Sequence, residues 1–106
     1  MDKILEEAQH LNKILVDSDV YQNYLYAKKN LDEESEKLLI EYKKLYCKYS
    51  NGDMEFEQEK ILSSIYSKLM LNKNSRLFIQ NELALTQLIK EIYSKLIENI
   101  EVDLFE

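Results

Sequence analysis

The sequence predicts an all-α fold: an antiparallel helical hairpin or bundle of about five helices with a long C-terminal helix, poised to form oligomers. Three observations predict it. The 106 residues contain no proline and one glycine, Gly52. A chain that avoids turn residues so thoroughly is nearly all helix. Apolar residues recur at spacings of three and four, and no segment alternates as a strand would. Apolar residues make up 45% and charged residues 32%, a mixture that suits amphipathic helices and opposes disorder.

The first segment places Ile4, Ala8, Leu11 and Leu15 on one stripe, with Leu5 beside it. Asp17, Ser18 and Asp19 interrupt it and offer side-chain oxygens to cap the next helix. That second segment carries Val20, Tyr24, Ala27 and Leu31, flanked by Tyr21 and Leu25. The acidic run Asp32–Glu36 follows, which reads as the first turn of a third helix and is compatible with a break or a kink. The third helix, residues 33–50, aligns Leu38, Tyr42, Leu45 and Tyr49. Asn51-Gly52-Asp53 closes it, with Gly52 left-handed and Asp53 as the next cap. So short a turn implies an antiparallel hairpin with the fourth helix, residues 54–71, whose stripe is Ile61, Ile65 and Leu69.

Asn72-Lys73-Asn74-Ser75 breaks the pattern, with Asn74 as the expected cap. The fifth helix is expected from Ser75 to Glu101, about 40 Å long against about 27 Å for the third. Its excess, from Ile92 to Ile100, lacks cover within one chain. Ile92, Tyr93, Leu96 and Ile100 are therefore the expected self-association surface. The tail, residues 102–106, reads equally as frayed or docked. No linker or repeat divides the chain, so residues 1–106 read as one domain.

Charge narrows the function classes. The net charge is −6, and the halves carry 11 acids with 8 bases and 9 acids with 6 bases. Phosphate backbones and anionic membranes call for clustered cations, so neither direct nucleic-acid binding nor a membrane surface is expected. No apolar run approaches a membrane span, and the charged N-terminus lacks a signal core. Cys47, the sole cysteine, permits no internal disulfide. A cytoplasmic protein is the expectation.

Candidate chemistry is sparse. Glu7 and His10 match the Glu-x-x-His pattern of di-iron bundles, but such sites take two copies of it, and His10 is the only histidine. Lys43, Lys44 and Lys48 surround Cys47 and favour its thiolate, yet a nucleophile also needs a base and an oxyanion site. Acidic pairs such as Glu55/Glu59 alternate with bases, as solvated helix faces do. Neither a phosphate loop nor a Ser/His/Asp set is present. No enzyme, metal or cofactor is expected. The eight tyrosines are the remaining signal, and Tyr42, Tyr46 and Tyr49 form one row. Tyrosine has an apolar body and a polar tip, so the row suits either the rim of a core or a partner surface.

The order of segments resembles the YlbF/YmcA family of small bacterial helical regulators. The resemblance rests on Ser18-Asp19-Val20-Tyr21-Gln22-Asn23-Tyr24 after an N-terminal helix, then Ala27-Lys28 leading to the acidic run. A long helix containing Leu38–Leu45, a Gly turn and the break Leu69-Met70-Leu71-Asn72 before the last helix complete it. The family often has Asn-Pro at that break, where this chain has Asn74-Ser75. The resemblance implies a cytoplasmic protein that forms homo- or hetero-oligomers. It further implies a role in competence, sporulation or biofilm development, in some members as an accessory factor for the endoribonuclease RNase Y. Some complexes of this type carry iron–sulfur clusters, but one cysteine cannot supply four thiolates, so no cluster is carried over. The reading is a regulatory adaptor. Its alternatives are a small-ligand or redox sensor with an inter-helix pocket and Cys47, or a purely structural helical subunit.

Overall fold

A computed structural model of the protein describes residues 2–101. Five helices follow one another: α1 (Lys3–Val16), α2 (Asp19–Lys29), α3 (Glu33–Ser50), α4 (Phe56–Leu71) and α5 (Lys73–Leu96). The fold is all-α, with no strand among the described residues.

Each boundary has a chemical cause. Asp2 caps α1 by accepting from the Ile4 N–H at 3.0 Å. Ser18 caps α2: its hydroxyl accepts from the Tyr21 N–H at 3.2 Å and donates to the Leu15 carbonyl at 2.6 Å. The acidic run marks a true break, in which Asp32 caps α3 through the Ser35 N–H at 2.6 Å. At the end of α3, Gly52 takes φ +75°, and the Asp53 and Gly52 N–H groups bond back to the Lys48 and Tyr49 carbonyls. These are the paired bonds of a Schellman stop.

Three expected boundaries move. The cap of α4 is Glu55 rather than Asp53: the helix begins at Phe56, and Gln58 accepts from the Glu55 N–H at 3.3 Å. The cap of α5 is Asn72 rather than Asn74; its side chain accepts from the Asn74 and Ser75 N–H groups at 2.9 and 3.1 Å, so the helix begins at Lys73. Finally, α5 ends at Leu96 instead of Glu101, and Asn99 turns left-handed with φ 66°. Twenty-four residues give about 36 Å, shorter than the sequence suggests. The tail, residues 102–106, lies outside the described residues.

Packing follows two antiparallel pairs, α3 with α4 and α2 with α5; α4 also touches α5, and α1 packs on α2. The core sits where the pairs meet. Ala27, Leu39, Ile65, Leu69 and Phe78 are buried there, and Tyr24, Leu31, Leu38, Tyr42, Leu45 and Ile79 pack around them. Two buried serines pin the junction of the breaks. Ser75 donates to the Leu69 carbonyl and to the Asn72 carbonyl at 3.2 Å, and Ser35 lies under the α3 cap. The Ser35 N–H, then its hydroxyl, and the Asn72 side chain hold the Asp32 carboxyl below its ordinary range. Asp32 and Asn72, the caps of α3 and α5, line one small concavity with Ser35 and Ser75.

The body is thin. Its extents are 51 × 35 × 19 Å and its radius of gyration is 17.6 Å, against about 13 Å for a compact chain of similar length. Helix α1 is strongly amphipathic yet buries none of its residues.

Candidate interaction surfaces

The α3–α4 hairpin carries the first surface. Its register sets Tyr42 opposite Tyr66, with ring centroids 5.7 Å apart. Along α3, Tyr42 stacks on Tyr46 at 5.9 Å and Tyr46 meets Tyr49 at 6.3 Å. Four aromatic rings therefore form one continuous strip. With Glu59, Leu62 and Ser63 of α4 they line an open groove of about 310 Å³. Tyr42 is half-buried against the core, whereas Tyr46 and Tyr49 are 51% and 53% exposed. Burial, and then the neighbouring Tyr66 and Tyr46 phenols, push the Tyr42 hydroxyl above its ordinary pKa.

The second surface lies between α1 and the last turns of α5. Leu11, Leu88, Ile92 and Leu96 line a cleft of about 500 Å³ with Glu91, Ser94 and Lys95 at its edge. Ile92 and Tyr93 are half-buried, while Leu96 is 63% exposed. Ile100 lies beyond the end of α5, exposed, and is not among the residues lining the cleft. The structure thus brings Ile92 and Leu96 into one cleft and sets Ile100 apart from it. Ile4, Leu5, Ile14 and Ile89 add exposed apolar side chains to the same two helices, and Ile97 adds one just past the end of α5.

A third concavity, about 480 Å³, lies between α2 and α5 and mixes polar groups with the apolar Ala27 and Leu77. Asn23, Asn30, Asn74 and Asn81 line it with Tyr26 and Lys73. The Asn30 and Asn81 amides donate to carbonyls of their own helices, at 3.0 and 2.7 Å. Cys47 lines none of these three concavities; it is exposed, with the Asn51 amide 3.9 Å from its sulfur. The pocket and the thiol that a redox sensor would couple are therefore in different places. His10 is exposed on α1, and no group of three or more potential metal ligands occurs among the described residues. No described helix is long and apolar enough to cross a membrane.

Three contributors to these surfaces were not visible along the chain. Glu59 and Tyr66 join the tyrosine row only once the hairpin register is known, and the Gly52 turn is the sequence signal that could have set it. Leu11 joins the α5 cleft because α1 folds back beside it, which its stripe alone does not say.

The fold and these surfaces define a class: small all-α chains built from antiparallel helix pairs, with broad apolar and aromatic faces left at the surface. The chain belongs to the YlbF/YmcA family, described as control of the competence regulator ComK, whose family model matches residues 4–101. The family is linked by that description to regulation of ComK. Comparison with curated proteins finds no match, and comparison with solved structures finds none either.

Proposed function

We propose that this protein is a non-catalytic regulatory adaptor that docks its helix faces onto other proteins, as a homo-oligomer or with related helical family members. Its end point is competence, sporulation or biofilm control, reached through RNase Y-dependent mRNA processing. The observation that carries this reading is surface area. The chain exposes 8731 Å². A compact monomer of 12.7 kDa exposes roughly 6,200 Å². The excess of about 2,500 Å² on one chain is comparable to one partner's share of a large obligate interface, which buries up to about 5,000 Å² over both partners.

Exposed leucines and isoleucines on α1 and at the end of α5, and the exposed Tyr46 and Tyr49 of the strip, agree with the reading. Leu96 and Ile92 are the anchors of self-association, and Tyr46 and Tyr49 those of the partner face. Affinity purification of the tagged chain from a close bacterial host, read by mass spectrometry, tests the proposal. It should recover RNase Y or small helical family members. Recovery of the bait alone would favour a purely structural subunit instead.

A further inference from the structure

The tyrosine groove differs from the rest of the surface in what it lacks. Seven residues line it: Tyr42, Tyr46, Tyr49 and Tyr66, with Leu62, Ser63 and one charged group, Glu59. None is a cation. Lys43, which borders the tyrosine row on α3, is held elsewhere: its ammonium bonds the Glu82 carboxylate at 2.9 Å and lies 5.9 Å from the Phe78 ring centre. Aromatic faces carry negative potential and attract cations, and a carboxylate at their edge adds a directional partner.

We propose that this groove receives an arginine side chain of a partner protein, its guanidinium stacked on Tyr46 and Tyr49 and paired with Glu59. This rests on the reading of the tyrosine strip as a partner face and names what that face recognises. Arginine fits better than lysine because a planar guanidinium stacks on rings while bonding a carboxylate through its edge. The occupant is a different protein rather than a second copy. Arg76 is the chain's only arginine, and it is half-buried with its Nη1 donating to the Met70 carbonyl at 2.9 Å.

The test is an amide-resolved NMR titration of the full chain with a capped peptide of alternating glycine and arginine, beside a twin carrying citrulline. Citrulline keeps the shape and removes the charge. The arginine peptide should shift Tyr46, Tyr49, Glu59 and Ser63 saturably. The citrulline twin should bind at least about fivefold more weakly. Glu59→Gln should weaken the arginine peptide by a similar factor. Tyr46→Phe with Tyr49→Phe should retain binding, because the ring faces remain. The proposal is overturned if the twin binds equally well. It is also overturned if the groove is silent, or if shifts spread over the acidic turn at Glu33, Glu34 and Glu36 and ignore Glu59→Gln.

The underlying face is scored separately, by whether Tyr46→Ala with Tyr49→Ala abolishes the complex with a purified partner. Loss of that complex beside a silent arginine peptide keeps the face and removes the arginine. A complex indifferent to the double alanine variant removes both.

Discussion

Leu69 and Leu71 sit two residues apart at the end of α4, and the fold assigns them opposite fates. Leu69 is 1% exposed at the junction of the helix pairs, and Leu71 is 83% exposed. Truncating Leu69 to alanine removes buried methyl groups among Leu39, Ile65 and Phe78, contributed by α3, α4 and α5. Such deletions cost about 2–5 kcal/mol, and the tie between Ser75 and the Leu69 carbonyl hinders local collapse. A loss of about 3 kcal/mol is a large share of the roughly 5–15 kcal/mol that stabilises a domain. With a urea dependence of about 1.5 kcal/mol per molar, the unfolding midpoint should fall by about 2 M. Leu71→Ala should stay within about 0.5 kcal/mol of wild type. Urea unfolding followed by circular dichroism at one low protein concentration measures both. Equal losses at the two positions would refute the assignment, because Leu71 would then be covered in solution and the core drawn in the wrong place.

Other predictions follow from the caps, the turn and the strip. Gly52→Ala should cost about 1 kcal/mol in thermal or urea unfolding, because its φ of +75° strains an L-residue although no atom lies within 4 Å of the added Cβ. The lowered pKa of Asp32 means that its contribution is present above the unfolded value of 3.8 and disappears as pH falls through the lower folded value. Asp32→Asn should therefore flatten that part of the acid-unfolding curve; an unchanged acid limb would contradict the capping of α3 by Asp32. The raised pKa of Tyr42 works in the opposite direction: stability present below pH 10.0 is lost as pH rises toward the folded value, and Tyr42→Phe should remove that alkaline loss. Leu96→Glu should shift the solution mass toward monomer in sedimentation equilibrium without loss of helix, because a charge buried in an apolar seam is costly. An unchanged mass would take Leu96 out of any interface.

Much of this architecture was legible because the signals were local. Ser18 and Gly52 act within a turn of their own position, so the sequence shows the breaks they create, whereas the acidic run at Asp32 suits a break or a kink alike, and only its cap on Ser35 decides for the break. The misplaced boundaries had competitors close by. Asp53 reads as a cap by residue type, but the cap falls two residues later at Glu55, whose N–H bonds Gln58, and Asn72 prevails over Asn74 because its side chain reaches two N–H groups at once. Asn99 is a residue type that tolerates φ > 0 and was the available sign that α5 stops early. The apolar stripe running on through Ile97 and Ile100 concealed it. The surfaces were harder still. Tyr42, Tyr46 and Tyr49 announce a row by spacing, but Glu59, Tyr66 and Leu11 come from helices whose pairing is a tertiary outcome. Exposure of Leu96 was legible from the length of α5 beyond α3, whereas the cleft it shares with Leu11 of α1 was not.

The most direct test of the adaptor account is the mass of complexes formed from purified components. The full chain would be mixed with RNase Y and with small helical family members from the same host and measured by light scattering. The account predicts a complex larger than either component that is lost with Tyr46→Ala/Tyr49→Ala or with Leu96→Glu, while circular dichroism stays unchanged. Wild-type protein that remains separate from every one of these partners, or complexes that both variants form as well as wild type, would contradict it.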